Sequence, residues 1–237
     1  HHISTLFSTL TAHRADMATS GYTKVYTKES KKAKILPPKS LSIYISSSDH
    51  ESELVNLFAS RLLYCPYAHL FKSSFIYLHS ISFKKGMQFG EDRLFILDYL
   101  AHCSILATEK TSTYNYRIEN PESLSNIKPE EVLLHEKIFF HANKKFIDAL
   151  GFHATQTNQW LYSPLFHAFI DDYFTNSKIT SFAQATREAK KLTNDSLFCE
   201  AFRHANTHSY SKSLTFIFRN KLNILLALLH IINRKRS

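Results

Sequence analysis

The chain has 237 residues, of which 44% are hydrophobic and 14% aromatic, and it contains only 4 glycines. This composition allows one large domain or a domain with an appendage. It excludes disordered, collagen-like and glycine-rich phosphate-loop proteins. The net charge of +9 favours an anionic partner, which could be nucleic acid, an acidic membrane surface or a phosphate-bearing substrate.

The cysteines and histidines form no recognisable site in the sequence. Cys65, Cys103 and Cys199 lie far apart without a CxxC pair, and the 14 histidines are scattered without an HExxH motif. We therefore expect neither a disulfide framework nor a metal site in this chain, and a reducing cytoplasm is the simplest location.

The first half of the chain is predicted to alternate between helices and strands, which is typical of a layered α/β arrangement. Apolar periodicity and turn residues predict this order: the end of a helix at 3–14, a strand at 15–26, a loop at 27–48 with a short edge strand at 41–45, a helix from Asp49, a strand and turn at 83–86, a helix at 91–102, and strands at 104–107 and 111–118.

After Pro129 the predicted structure is almost wholly helical. The segment 120–128 is rich in turn-forming residues and gives the best boundary between two parts. We predict an α/β part over 1–126, with a partial mixed sheet and flanking helices, followed by a helical region over 127–237.

The most informative motifs lie between residues 70 and 126. They read LFK at 70–72, Phe83 and Gly86, GED at 90–92, YNYR at 114–117, and serines 123 and 125. This order resembles the second half of the catalytic domain in family 2 glycosyltransferases of the GT-A fold. Residues 4–26 also resemble the helix and the A-D-M strand, ending in Gly-Tyr, that follow the metal-binding Asp-x-Asp of that family.

The resemblance gives the pair Glu91-Asp92 a chemical role. A positioned carboxylate can take the proton from a sugar hydroxyl as that hydroxyl attacks an anomeric carbon. The resemblance implies that Asp92 is this base and that Glu91 shapes the site or touches the acceptor. The alternative is that both acids only cap a helix and favour its dipole. The positive helix end would also lower the pKa of Asp92 unless burial offsets it.

Three further residues are substrate-binding candidates through the same resemblance: Lys72, Tyr116 and Arg117. Arg117 could reach the donor diphosphate or the acceptor, and Tyr116 could stack on a sugar. The alternatives are that Arg117 pairs with a nearby carboxylate and that Tyr116 packs as a half-buried strand residue. His69 stands where the family usually has a lysine.

The chain contains no Asp-x-Asp motif. In the family this motif belongs to an N-terminal nucleotide-binding sheet, where it holds a divalent ion against the diphosphate. We therefore expect a C-terminal, acceptor-side part without the segment that binds the nucleotide sugar donor. Mn or Mg is expected only in a complete enzyme, and this chain should transfer no sugar alone.

The most apolar segment runs from Leu214 to Ile232, with Lys212 before it and basic residues at 234–236. Polar interruptions leave it too short to span a bilayer. An apolar helix with basic ends can lie on an anionic leaflet, so 212–236 could hold the protein on the inner face of a membrane. A core helix is the equal alternative.

The predicted function is inverting transfer of a sugar from a nucleotide sugar to a cell-surface polysaccharide or lipid-linked glycan, as in bacterial lipopolysaccharide synthesis. The alternative is a non-catalytic, truncated homologue that acts as an interaction or membrane-surface module. Nucleic acid is not the expected partner, because no helix-turn-helix, zinc or RNP-type signature occurs.

Overall fold

A computed structural model describes residues 1–26, 31–37, 39–64, 66–87, 89–118, 129–175, 178–208 and 210–234. The chain divides into two compact units, which we call the sheet unit (residues 1–126 and 145–154) and the helical unit (residues 127–144 and 155–237). The segment 145–154 therefore belongs to the sheet unit. The predicted division into 1–126 and 127–237 placed this segment in the helical region instead.

The sheet unit contains helices on a five-stranded sheet. Its elements are α1 (His2–Ala12), β1 (Met17–Tyr26), β2 (Lys31–Ile35), β3 (Leu41–Tyr44), α2 (Glu51–Ala59), β4 (His69–Phe71), α3 (Ser73–Leu78), α4 (Glu91–Leu100), β5 (Ile105–Ile118) and the end of α5 (Pro129–Leu150). Short 3-10 turns at 62–64 and 66–68 connect α2 to β4.

Strand β1 is the centre of the sheet, whose order is β2-β1-β5-β3. β5 pairs with β1 in parallel, β3 pairs with β5 antiparallel, and β2 and β4 pair antiparallel with different parts of β1. Residues 17–23 of β1 are all buried, as expected for a strand that is covered on both faces. This mixed sheet with flanking helices confirms the predicted α/β class.

The sheet is irregular where β1 passes Gly21. The register with β5 shifts on both sides of this residue, so that Ser20 pairs with Glu109 but Gly21 pairs with Ser112. A Cβ atom at Gly21 would lie 2.6 Å from the carbonyl oxygen of Ile35. The missing side chain at Gly21 lets β2 approach β1 closely.

Three of the predicted elements were wrong in detail. Residues 31–35 form a strand on β1, where a loop was predicted, while 27–30 lie outside the described residues. The strands predicted at 104–107 and 111–118 form one strand, β5, because the bulge absorbs the break between them. Residues 83–86 contain a turn but no strand.

The helical unit packs around one apolar core. It contains the start of α5, then α6 (Thr155–Thr175), α7 (Phe182–Asn194), α8 (Ser196–His204), α9 (Lys212–Arg219) and α10 (Asn223–Arg234). Large buried side chains of the core include Leu165, Phe166, Phe198 and Phe218. The helical region predicted after Pro129 is confirmed.

The apolar segment 214–232 is divided between α9 and α10. Lys221, between the two helices, has a left-handed backbone with φ 50°, which ends the first helix. In the described part of the chain, no helix has both the length and the apolar character needed to cross a bilayer.

Candidate functional site

The acidic pair lies at the start of α4. Gly90 is the N-cap residue, with φ 76°, and Glu91 and Asp92 occupy the first turn. Neither acid is therefore the N-cap, although both lie where the helix dipole favours negative charge. Both side chains are partly exposed, so a ligand could reach them.

The environment of Asp92 favours its protonated form. Burial raises the pKa of the Asp92 carboxyl, and the adjacent Glu91 raises it further through charge repulsion and a hydrogen bond. Burial thus offsets the lowering that the helix end alone would cause. A carboxylate with a raised pKa is the stronger proton acceptor near neutral pH.

Lys72 lies beside the other end of α4. Its Nζ forms an ion pair with Asp16 at 2.8 Å, and its backbone N–H donates to the Tyr99 hydroxyl at 2.9 Å. Tyr99 is two helical turns from Asp92, which corresponds to a rise of about 10 Å. The structure does not bring Lys72 to the acidic pair.

Asp16 is the centre of a buried polar network that the sequence did not identify. Its second carboxylate oxygen accepts backbone N–H bonds from Ser104 at 2.9 Å and Ile105 at 3.2 Å. Burial opposes the charge of Asp16, but the bond from Lys72 and these N–H donors outweigh it, so its pKa is lowered. In the sequence, the only indication of this network is that Asp16 is an acidic residue among apolar neighbours at the start of a predicted strand.

Tyr99 connects this network across three elements. Its hydroxyl donates to the backbone carbonyl of Asp16 at 2.8 Å and accepts from the Lys72 N–H, which joins α4 to the ends of β1 and β4. Burial raises the pKa of Tyr99 well above its ordinary value, so it stays a neutral donor. This arrangement fixes the position of α4, and thereby of the acidic pair at its start.

A cluster of tyrosines covers one face of β5. Tyr67 stacks on Tyr114, with ring centroids 4.7 Å apart, and on Tyr116 at 5.1 Å, while Tyr22 meets Tyr67 edge-on at 5.4 Å. The turn 66–68, which carries Tyr67, packs against α4. Tyr116 therefore packs as a half-buried strand residue, and its ring remains partly exposed.

Arg117 points away from this cluster. Successive residues of a strand face opposite sides, so Arg117 lies on the face opposite to Tyr116. Its side chain is exposed, and within the described ranges it has no carboxylate within ion-pair distance. The structure thus separates Tyr116 and Arg117, which the sequence had placed in one substrate-binding group.

His69 is buried in β4, where it pairs with Thr19 of β1. Burial lowers its pKa to about 3, so the side chain is neutral at physiological pH. A neutral, enclosed imidazole cannot make a charged substrate contact of the kind that a lysine makes. Among the residues that the structure describes, no group of histidines, cysteines and acids is arranged to hold a metal ion.

Comparison with known proteins gives matches only among solved structures, since no protein-family model and no curated protein matches the sequence. The glycosyltransferase TarS of S. aureus, residues 1–349 in complex with UDP-GlcNAc, aligns with a TM-score of 0.57 and 10% identity, over 99% of this chain. The chain has a glycosyltransferase-like fold. The same TarS fragment with UDP aligns at a TM-score of 0.54 and 10% identity, over 99% of this chain and 63% of its own length.

The likeness to TarS covers only part of that protein. This chain spans 64% of the TarS fragment that was crystallised with UDP-GlcNAc. The likeness shows a glycosyltransferase-like fold over nearly all of this chain, whereas membership of family 2 and of the GT-A class stays a prediction.

Proposed function

We propose that the chain is the acceptor side of a glycosyltransferase that uses a nucleotide sugar. The likeness to TarS over 99% of this chain carries the proposal, and TarS itself was crystallised with UDP-GlcNAc and with UDP. The proposed acceptor is a cell-surface polysaccharide or a lipid-linked glycan, and the transfer inverts the configuration at the sugar.

Asp92 is the general base of the proposed reaction. Its carboxylate takes the proton of an acceptor hydroxyl while the hydroxyl oxygen forms a bond to the anomeric carbon. The bond from that carbon to the donor phosphate breaks, and the nucleoside diphosphate leaves with the electron pair. Partial burial and the neighbouring Glu91 raise the pKa of Asp92, which supports this role.

Glu91 acts on the acceptor or on Asp92 in this proposal. Its carboxylate accepts a hydrogen bond from Asp92 once Asp92 is protonated, and its partly exposed oxygens can bind sugar hydroxyls. Tyr116 offers the exposed part of its ring to a sugar. Its stacking partner Tyr67 lies on a turn that packs on α4, the helix that begins with the acidic pair. Lys72 helps to position α4 through its ion pair with Asp16. Arg117 contacts a ligand on the face of β5 opposite to Tyr116.

A divalent ion is the usual counter-charge for a diphosphate leaving group. The residues described for this chain do not fit such an ion, because they contain no suitable cluster of metal ligands. No step of the proposed reaction is therefore assigned to a metal.

The test is sugar transfer from a panel of nucleotide sugars, measured on this chain joined to the donor-binding segment that the proposal requires. Asp92→Asn should lower kcat by about a hundredfold or more, because it removes the proton acceptor and keeps the shape. Asp98→Asn is the matched control, since Asp98 lies on the same helix but pairs with Lys84 at 3.3 Å. It should keep near-normal kcat.

Two results would contradict the assignment. Near-normal transfer by Asp92→Asn would show that Asp92 is not the general base. Equal losses in both variants would indicate that the substitutions only damage α4. Absence of transfer from every nucleotide sugar, with the donor-binding segment joined to the wild-type chain, would overturn the enzymatic proposal itself.

A second candidate is a role at a membrane surface. Helix α10 exposes an apolar row on one side, with Ile224 62%, Leu228 43% and Ile232 46% exposed. Arg219 and Lys221, which are also exposed, precede this row. An exposed apolar row beside basic residues suits an anionic leaflet, and the proposed location is the cytoplasmic face of a membrane.

A further inference from the structure

The helical unit contains a cavity that the proposed transferase chemistry does not use. It has a volume of about 470 Å³ and lies between α8, α9 and the turns that follow them. This volume is in the range of sites that hold small molecules. All of the described residues that line it belong to the helical unit.

The interior of the cavity is aromatic. Phe198 and Phe218 line it and are 2% and 4% exposed, and their rings meet at 5.4 Å. Phe202 packs against both of them and is only partly buried. Phe202 therefore offers the apolar surface to the body of a ligand, and the two buried rings support it from behind.

The rim of the cavity is basic. Arg203, Arg219 and Lys221 line it, and all three are exposed. Arg203 donates from Nε to the Cys199 carbonyl at 3.2 Å, which uses one of its five N–H donors. Lys221 donates to the amide oxygen of Asn194 at 3.1 Å, which leaves its charge uncompensated.

Acidic residues do not neutralise this rim. Among the described residues that line the cavity, none is acidic. The acids nearest in sequence have other roles: Asp195 accepts the Phe198 N–H as the N-cap of α8, and Glu200 accepts the Tyr162 hydroxyl at 2.5 Å. Three cations on one rim without a counter-charge favour an anion.

The hydroxyl groups on the lining add neutral donors to this charge. Thr193, Thr207 and Thr215 all line the cavity. The Thr193 hydroxyl already pairs with Asn223 at 2.8 Å, while Thr215 donates to the Ser211 carbonyl at 3.2 Å. A hydroxyl has one donor and rotates to suit an incoming acceptor, so Thr207 can donate to anionic oxygens, whereas the donors of Thr193 and Thr215 are already used.

We propose that this cavity binds a phosphate ester, with the phosphoryl group on the basic rim and the apolar body on the ring of Phe202. Arginine suits this role because its planar fork can donate two parallel bonds to phosphate oxygens. The ester could be a soluble metabolite or the headgroup of a lipid, since both present the same chemistry. This site is independent of the proposed transferase centre at Asp92.

The experiment titrates the full chain with phenyl phosphate, inorganic phosphate and benzyl alcohol in a calorimeter. Phenyl phosphate should bind at least about tenfold more tightly than inorganic phosphate, because it alone combines charge with an apolar ring. Benzyl alcohol should show no measurable binding. Equal binding of the two phosphates, or tighter binding of benzyl alcohol, would overturn the proposal.

A double variant, Arg203→Gln with Arg219→Gln, should weaken phenyl phosphate binding by about tenfold or more. The matched control is Arg187→Gln with Lys190→Gln, which removes the same charge from exposed positions on α7 that do not line the cavity. The control should bind as the wild type does. Equal weakening in both variants would show that only net charge matters and would overturn the site.

Cys199 provides an independent measure of occupancy, because its side chain lines the cavity. Saturating phenyl phosphate should slow alkylation of Cys199, read from its own peptide by mass spectrometry. An unchanged rate would overturn the location. Vesicles that contain phosphatidic acid should displace phenyl phosphate if the natural ligand is a lipid headgroup. If phenyl phosphate stays bound in the presence of such vesicles, the natural ligand is a soluble ester.

Discussion

A single buried histidine gives the sheet unit a dependence on pH. His69 is 6% exposed, and burial lowers its pKa from 6.5 to about 3. Below pH 6.5 the unfolded chain binds a proton at this residue while the folded chain does not. The free energy of unfolding should therefore fall by about 1.4 kcal/mol for each pH unit below 6.5, which is about 2 kcal/mol at pH 5.

This dependence is measurable by urea unfolding at pH 7, 6 and 5. The variant His69→Leu should show a flatter decline than the wild type, whatever its absolute stability. His153→Leu serves as the control, because His153 is exposed and lies in the same unit. If the free energy of unfolding of His69→Leu fell as steeply with pH as that of the wild type, His69 would not be the cause of the pH dependence.

The residues that the sequence identified and those that it missed differ in a physical way. Glu91 and Asp92 were found because a helix start and an acidic pair are local patterns. Asp16 was missed as a partner of Lys72, because the two are 56 residues apart and meet only through the pairing of β4 with β1. Likewise, no local pattern places Tyr67 against Tyr114 and Tyr116.

At the scale of elements, the close approach of β2 to β1 depends on Gly21. A Cβ atom there would lie 2.4 Å from Leu36 Cδ2 and 2.6 Å from the Ile35 carbonyl oxygen. Gly21→Ala should lower the free energy of unfolding by about 1–3 kcal/mol, because backbone must shift to admit the methyl group. Thermal unfolding followed by circular dichroism measures this loss.

A second substitution separates the two contacts of Gly21. Leu36→Ala removes the side-chain contact at 2.4 Å but leaves the backbone oxygen in place. In the double variant it should therefore recover only part of the loss caused by Gly21→Ala. Full recovery would assign the effect to the side chain, and an unchanged melting temperature in Gly21→Ala would contradict the close approach.

The elements themselves were predicted to different degrees. Helix α4 and strand β1 were placed within a few residues, because α4 opens with two acids before an apolar run and β1 contains β-branched and aromatic residues. Strand β2 (KKAKI) was predicted as a loop because three of its five residues are lysines. It becomes a strand because the edge of β1 provides its hydrogen bonds, which is a long-range effect that local composition does not contain.

At the scale of the whole molecule, a net charge of +9 does not by itself identify a partner. The structure places basic residues in two separate units: Lys32 and Lys34 are exposed on β2, whereas Arg219 and Lys221 precede the exposed apolar row of α10. The first group adjoins one exposed apolar side chain, Leu36, whereas the second adjoins the whole exposed row of α10. The proposed membrane role therefore depends on α10 and not on total charge.

That dependence predicts the behaviour of two matched variants in vesicle flotation. Leu228→Glu with Ile232→Glu should reduce binding to vesicles that contain phosphatidylglycerol by about tenfold or more, because it removes apolar area and adds repulsion. Leu134→Glu with Ile138→Glu makes the same change on α5, where the two side chains are 59% and 38% exposed, and should leave binding near the wild-type level. Binding of the wild type should also weaken in high salt, since the attraction includes charge. If both variants lost binding equally, or if neutral vesicles bound as well as anionic ones, α10 would not be a membrane-binding helix, and its exposed row would need a different partner.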